Sequence, residues 1–507
     1  MALAGLGRAG KIDSKVERVQ HAATFNSPRL APGVWSYPAW ELWFGVPARS
    51  IDVIRRADQR LLTLLAHARS ATRLYGELYR DLPPTSQLRL TDLPVLTKSM
   101  LMADIAASCS DPDITGTALD SFLSDSKPGE LFRNRYALWT TSGTTGTPGI
   151  FLHDRAALAV YDVLELIRFR GEGNAAGLAA NLFKNDRYAM VAATGGHFAG
   201  VSTIERLRAS YPWLANRLRC ISLLQPLSRL VAQLNDAQPT VLATYPTAAS
   251  MLADEQRAGR LHLKLNELWT GGECLDDAAR ERLAREFGCR IRNGYGASEF
   301  LSIAAECRCG RLHVNTDWVL LEGVDKSYRP VAPGEASHTV LLTNLANRAQ
   351  PLIRYDLGDS ITMLTDPCAC GSVLPAVRVE GRNDDVLSLA AESQTEIKLL
   401  PLVISTVLEE GAHVHDFQLA QTDRARLELR LAPAERSRAP AAAAALRHHL
   451  DEHGLREVVI EVARGEPRRS GHSGKVRRVQ NETRCLPVAA ARQRQRRGKR
   501  HHAESAA

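Results

Sequence analysis

No run of this chain reaches the roughly 18 consecutive apolar residues that a bilayer crossing requires. The start, Met1 to Arg18, is broken by glycine and charge where a secretory leader would be apolar. The expectation is a cytoplasmic protein with no membrane partner. Nine cysteines, an odd number in a chain without a leader, argue against a disulfide framework and for free thiols or metal ligands in a reducing compartment. There are no internal repeats. A strong charge excess is also missing once the tail is set aside. The formal net charge is +8, but residues 491–507 hold six Lys/Arg against Glu504, which leaves only +3 for the rest. That tail reads as a solvated basic appendage, and nucleic acid is not needed to explain it. At 507 residues and 45% hydrophobic, the chain exceeds any single small fold.

What is present is a loop of alternating hydroxyls and glycines, Trp139-Thr140-Thr141-Ser142-Gly143-Thr144-Thr145-Gly146-Thr147-Pro148-Gly149. Glycines let backbone N–H groups approach an anion, and Ser and Thr add neutral donors, so the segment can wrap a polyphosphate. It lacks the Gly-Lys-Ser/Thr of a Walker loop. An exposed turn is the plainer reading of the same composition.

Further segments follow in order: Gly271-Gly272-Glu273, Asn293-Gly294-Tyr295-Gly296-Ala297-Ser298-Glu299, Arg354-Tyr355-Asp356-Leu357-Gly358-Asp359, Gly381-Arg382-Asn383-Asp384-Asp385 and Ser473-Gly474-Lys475-Val476-Arg477-Arg478. The ordered set, spanning roughly residues 90 to 480, resembles the adenylate-forming (AMP-binding) enzymes, in their phenylacetate-CoA ligase-like branch. The resemblance implies an α/β fold. A large N-terminal adenylation domain of layered βαβ subdomains plus a β-rich subdomain would occupy 1–380. A hinge at 381–386 would lead to a small mobile α+β C-terminal domain, 387–485, carrying the catalytic lysine, and a disordered basic tail would fill 486–507.

The same resemblance distributes roles. Thr141, Ser142, Gly143, Thr144, Thr145 and Gly146 grip the β- and γ-phosphates of ATP. Ser298 and Glu299 meet the α-phosphate and its Mg2+, because a carboxylate beside a triphosphate needs a hard cation between them. Tyr295 stacks on adenine, with Gly296 permitting close approach. Gly272 and Glu273 lie where a nucleotide is expected, Asp359 accepts both ribose hydroxyls, Arg382 serves the ribose side, and Asp384 is the pivot. Lys475 bridges the substrate carboxylate and the α-phosphate as a compact, mobile charge. His197, Phe198 and Tyr245 are the acyl-pocket candidates, able to enclose a flat aryl group or simply to form core.

Local patterning agrees with a layered domain. Tyr188–Ala193, Thr240–Thr244, Glu267–Thr270 and Cys289–Asn293 read as strands, and Asp276 or Asp277 can cap a helix with Ala279, Leu283 and Phe287 on one face and Gly288 at its end. Beyond Asp385 a helix near Leu400–Glu410, strands at Asp416–Gln421 and Arg426–Leu431, an Ala-rich helix around Ala441–His453 and a strand at Glu457–Ala463 fit a small α+β domain. The Ala/Pro/Arg stretch 434–445 reads as a surface feature.

Cys307-Arg308-Cys309-Gly310-Arg311-Leu312-His313 and Cys368-Ala369-Cys370-Gly371 are two ligand-rich loops. Cys307, His313, Cys368 and Cys370 are the preferred set for a structural tetrahedral Zn2+, since some members of the resembled branch have a similar arrangement, with Cys309 as the substitute. Unligated thiols are the alternative.

Two departures from the family pattern stand out. Gly149 occupies a position where the family often has lysine. Val386-Leu387-Ser388-Leu389-Ala390-Ala391-Glu392-Ser393 contains no glycine, whereas the family usually has a Gly-containing loop lining the pantetheine tunnel there. The expected activity is an acid–CoA ligase acting through an acyl-AMP, with an aryl carboxylic acid as substrate and coenzyme A as acceptor. Alternatives are an adenylating enzyme that serves an amine, a carrier-protein thiol or another small nucleophile, and a non-catalytic nucleotide-binding protein. Oligomeric state is left open, a homodimer being one option.

Overall fold

The computed structural model describes residues 49–141, 149–170, 186–194, 196–380, 386–390, 396–468 and 478–482. Strands β1 (Tyr136–Thr141) and β2 (Gly149–Asp154) form an antiparallel hairpin in which Thr141 faces Gly149. Five parallel strands follow: β3 (Tyr188–Ala192), β4 (Leu218–Ser222), β5 (Val241–Thr244), β6 (Glu267–Gly271) and β7 (Arg290–Ala297), ordered β7-β6-β5-β3-β4. Parallel pairing needs crossovers, supplied by helices Ala199–Ser210, Leu227–Ala237, Pro246–Arg257 and Asp277–Phe287.

The last of these helices forms for reasons visible in its residues. Asp276 accepts from the Ala279 N–H at 2.7 Å, Leu283 and Phe287 are buried four residues apart, and Gly288 ends the helix at a φ of 59°.

The sheet then turns antiparallel. β8 (Phe300–Glu306) pairs with β7, and β9 (Leu312–Val314) pairs with β8. A separate sheet joins β10 (Val319–Val324), β11 (Thr339–Asn344) and β12 (Tyr355–Asp356). β13 (Ile361–Met363) and β14 (Ala376–Val379) return to extend the main sheet beyond β9 to nine strands. One hydrophobic core lies among the hairpin, the N-terminal helix Ser50–Ala71 and the antiparallel strands, including Leu64, Trp139, Tyr161, Phe300 and Leu342. A second lies between the parallel strands and their helices.

Past Asp385, β15 (Leu387–Ala390) pairs with β16 (Glu396–Leu399). Strands β17 (Phe417–Asp423), β18 (Arg426–Leu431), β19 (Val459–Val462) and β20 (Val479–Asn481) form a four-stranded sheet ordered β19-β18-β17-β20. Helices Pro401–Ala412 and Ala439–Glu452 share its core. This unit docks on the parallel part of the molecule: Leu400 and Val403 join the second core, and Lys398 pairs with Asp254 at 2.9 Å.

The Ala/Pro/Arg stretch lies mostly at the surface, as expected, but it is regular rather than irregular. Residues Pro433–Arg438 make a 3₁₀ turn that leads into helix Ala439–Glu452, whose Ala442 and Leu446 are fully buried. Low complexity here serves close packing: a Cβ added at Gly411 would lie 3.1 Å from the Ala445 Cβ, so only small side chains fit between the two helices. Among the described residues, no helix is long and apolar enough to cross a membrane.

Candidate active site

The motif residues converge at the carboxyl ends of the parallel strands, where ligands of open α/β sheets bind. β7 leads into a tight turn that carries Ser298 and Glu299 and returns as β8, with a register shift between Tyr295 and Ala297. Gly296 belongs to that irregularity. A Cβ there would sit 1.9 Å from the Leu301 carbonyl oxygen, so the backbone itself demands glycine. Tyr295 is buried, and its hydroxyl donates to Asp359 Oδ2 at 3.0 Å, which joins the expected adenine and ribose residues in one contact.

The phosphate-loop hairpin is fastened to this turn. Ser298 Oγ donates to the Thr140 carbonyl at 3.1 Å, and the Thr140 N–H donates to the His197 carbonyl at 2.9 Å. Thr141 Oγ1 accepts from the Gly149 N–H at 3.2 Å, closing the hairpin at the point where residues 142–148 begin. Ser142, Gly143, Thr144, Thr145 and Gly146 themselves lie outside the described residues, as do Arg382, Asp384 and Lys475.

Glu299 is buried at 5% exposure, and that burial pushes its carboxyl up to about 7. The Asp359 carboxylate adds to the rise, while backbone hydrogen bonding, the Lys98 ammonium and the Tyr355 hydroxyl oppose it. A buried carboxyl group with a second carboxylate near enough to disfavour its charge suits a hard cation, so Glu299 fits the Mg2+ role on chemistry as well as motif. Lys98, at the start of helix Lys98–Ala103, carries no recognisable signature, and Tyr355, although inside the Arg354–Asp359 motif, was given no role of its own.

Other candidates are held by specific contacts. The Glu273 carboxylate accepts from the Thr247 N–H at 3.0 Å and from its hydroxyl at 2.7 Å, which sets an anion at the N-terminus of helix Pro246–Arg257. Gly272, at a φ of 77°, lies under the Tyr245 ring: a Cβ there would be 3.2 Å from it. His197 is buried, and burial lowers its pKa; its ring lies 6.1 Å from that of Phe122 and hydrogen-bonds the backbone of Leu123 and Ser126. It therefore packs toward helix Gly116–Asp125. Phe198 caps helix Ala199–Ser210 and stays half-buried. Two clefts lie apart from these residues. One, of about 880 Å³, lies beside the edge strand β4 and is lined by Arg208, Arg219 and Arg229; the other, of about 450 Å³, lies between Met251–Glu255 and Glu396–Leu400.

The two cysteine loops come together, with the four residues that the resemblance preferred in one group. The donor atoms of Cys307, His313, Cys368 and Cys370 all lie within 4.8 Å of one another. Cys307 Sγ is 3.6 Å from Cys368 Sγ, and Cys370 Sγ is 3.3 Å from His313 Nε2. His313 Nδ1 lies 2.7 Å from the Leu374 carbonyl oxygen and must donate to it, leaving the Nε2 lone pair toward the thiols. Cys309 stands outside this group, exposed, with its N–H donating to Cys307 Sγ at 3.3 Å.

Against known families, residues 89–336 match the AMP-binding enzyme family. Over these residues the chain is similar to the adenylate-forming, AMP-binding enzymes. Their phenylacetate-CoA ligase-like branch agrees with the curated relatives. The chain is 29% identical over 191 residues to a phenylacetate-coenzyme A ligase of Thermus thermophilus, covering 36% of this chain and 43% of that protein. It is 25% identical over 165 residues to protein CapK of Staphylococcus aureus, covering 32% and 35%. The chain thus matches less than half the length of these curated relatives. Among solved structures, 2-hydroxyisobutyryl-CoA ligase in complex with 2-HIB-AMP and CoA superposes with a TM-score of 0.53 at 22% identity, over 87% of this chain and 92% of that one. An open conformation of the same ligase gives 0.50 at 21% identity, over 83% and 90%. The α/β fold expected for an adenylate-forming ligase, with its C-terminal domain, is therefore present in this chain.

Proposed function

We propose that this protein is an ATP- and Mg2+-dependent acid–CoA ligase that activates a carboxylate as its acyl-AMP and transfers the acyl group to coenzyme A. The observation that carries this reading is the meeting of Tyr295, Asp359, Ser298 and Glu299 at the strand ends, fastened to the hairpin that bears the phosphate loop. Activation requires holding a triphosphate against a second anion, so charge neutralisation dominates the chemistry. Tyr295 and Asp359 offer an aromatic face and a carboxylate for the nucleoside. Glu299 would hold Mg2+, which supplies positive charge to the phosphates, and the Ser298 hydroxyl would exchange its Thr140 carbonyl acceptor for an oxygen of the α-phosphate. Lys98 offsets the two carboxylates from the protein side. Lys475 is assigned to the reacting carboxylate and α-phosphate. Arg382 serves the ribose side and Asp384 the pivot of a domain boundary at 381–386. An aryl acid is favoured by the aromatic side chains of Phe198 and of Tyr245, whose ring covers Gly272.

The Cys307/His313/Cys368/Cys370 group would hold Zn2+. Four protein ligands leave no open position, so its part is to tie β9 to the loop before β14 rather than to act on substrate. A second reading keeps adenylation but directs the acyl group to an amine or a carrier thiol. It is favoured by β15, a regular Leu-Ser-Leu-Ala strand where the family usually has a glycine-containing loop.

The test is mass spectrometry of products after incubation with ATP, Mg2+, coenzyme A and a panel of aryl and aliphatic acids. Acyl-CoA is expected from one class of acid, with Lys475→Ala retaining ATP binding but forming no adenylate. Acyl-AMP without thioester would select the second reading. Absence of both products with every acid would refute the ligase.

A further inference from the structure

A chain of hydrogen bonds runs behind the Ser298–Glu299 turn, and its direction is fixed by the atoms it joins. Asn344, fully buried on β11, accepts at Oδ1 from the N–H groups of Ala346 at 2.9 Å and Asn347 at 3.1 Å. Its Nδ2 therefore points the other way. It donates to the Tyr161 hydroxyl at 2.8 Å and to the Glu299 carbonyl at 2.9 Å. Tyr161, fully buried, then has its own hydrogen to give, and His153 Nδ1 lies 3.0 Å away. His153 Nε2 is 2.8 Å from the Ser298 carbonyl oxygen, which can only accept. One tautomer satisfies every partner: neutral imidazole, Nδ1 accepting and Nε2 donating. The Trp139 ring, centred 4.1 Å from that of His153, covers the imidazole from the β1 side.

We propose that His153 and Asn344 are positioning residues of the adenylation site, clamping the successive carbonyls of Ser298 and Glu299 so that the Ser298 hydroxyl and the Glu299 carboxylate are aimed before nucleotide arrives. The inference rests on the Mg2+ and α-phosphate roles given to those two residues above. Its physical sense is preorganisation. The peptide between Ser298 and Glu299 sits in the tight turn between β7 and β8, and a rotation there would swing both side chains away from the phosphates. His153 is on β2, immediately after the phosphate loop returns. The clamp therefore couples that loop's hairpin to the cation ligand from below, while Ser298 Oγ on Thr140 couples them from above. Tyr161 acts through His153, holding its tautomer.

The variants are His153→Phe, His153→Gln and Tyr161→Phe, each checked for folding by circular dichroism. His153→Gln keeps a donor for the Ser298 carbonyl and an acceptor for Tyr161; Tyr161→Phe removes the link to His153 at nearly constant volume, and His153→Phe removes both links of the imidazole. The probe is Mn2+·ATP, titrated by the electron paramagnetic resonance of free Mn2+, with ATP in EDTA as the metal-free reference. Outer-shell partners of a metal ligand typically cost 10- to 100-fold in affinity when lost. His153→Phe and Tyr161→Phe are expected to weaken Mn2+·ATP binding by about tenfold, at the lower end of that range. Metal-free ATP binding should hold steady, and His153→Gln should stay within about twofold of the parent. Selective ¹⁵N-histidine spectra should show His153 protonated at Nε2 in the parent and mixed tautomers in Tyr161→Phe.

Unchanged Mn2+·ATP affinity in His153→Phe overturns the clamp, as does an equal loss with and without the cation, which would mark a purely structural role. Should the parent bind ATP with no dependence on Mn2+, the cation role of Glu299 fails first and the clamp falls with it. That result is distinct from a parent that responds to Mn2+ alongside variants that match it.

Discussion

Replacing Glu299 by glutamine isolates the cost of keeping a carboxyl group dry in the absence of the proposed cation. Burial lifts this group from an ordinary 4.5 to about 7. At 1.36 kcal/mol for each decade of proton affinity, the ionised form is disfavoured in the folded protein by about 3 kcal/mol. The sign follows from proton counting. Between pH 4.5 and 7 the folded state holds a proton on Glu299 that the unfolded state has released, so stability falls as pH rises through that window. Glutamine carries no such penalty. Glu299→Gln should therefore be more stable than the parent by about 3 kcal/mol at pH 8 and by less than about 1 kcal/mol at pH 5. The assay is urea unfolding of both proteins without nucleotide, followed by tryptophan fluorescence, with the difference between them taken at each pH so that other titrating groups cancel. Adding Mg2+·ATP at pH 8 should reverse the ranking, because only the carboxylate gains from the cation. A difference that stays flat from pH 5 to pH 8 would refute the reasoning.

Protein purified without chelator should contain about one Zn2+ per chain by elemental analysis, and Cys368→Ser should lose it and melt at lower temperature with little change in adenylation by the folded fraction. Metal-free protein of unaltered melting temperature would remove the site. Gly296→Ala should cost about 3 kcal/mol or leave the protein insoluble, since the new Cβ meets the Leu301 carbonyl at 1.9 Å; a variant as stable as its parent would show that the turn can relax.

What could be read from the chain is what repeats locally. Helix Asp277–Phe287 announces itself by a cap, a four-residue apolar spacing and a terminal glycine, and all three are in place. Strand Arg426–Leu431 and its neighbours in the last sheet were equally legible, because alternation and turn residues are short-range signals. The Cys/His loops were visible because few residue types can ligate a metal, and the choice of these four over Cys309 came from the resemblance to the branch. The extension of the main sheet by β8, β9, β14 and β13 was not, since that pairing brings together segments as far apart as β9 and β14. Lys98 and His153 escaped for the same reason. Neither sits in a motif, and each reaches Ser298 or Glu299 only after roughly the first half of the chain has folded onto the second. The stretch 434–445 was legible as surface, but the packing of Ala442 and Ala445 against the neighbouring helix was not, because composition does not say which alanines face a core.

The hairpin that closes at Thr141 and Gly149 also constrains how this site can change by mutation. A Cβ at Gly149 would lie 2.7 Å from Thr141 Oγ1 and 2.8 Å from the Phe151 ring, so the lysine common at this position in the family is not one substitution away. Restoring it requires Thr141 and Phe151 to yield first. The glycine is thus entrenched by its cross-strand partner, and a library meant to recover the missing charge must vary positions 141, 149 and 151 together.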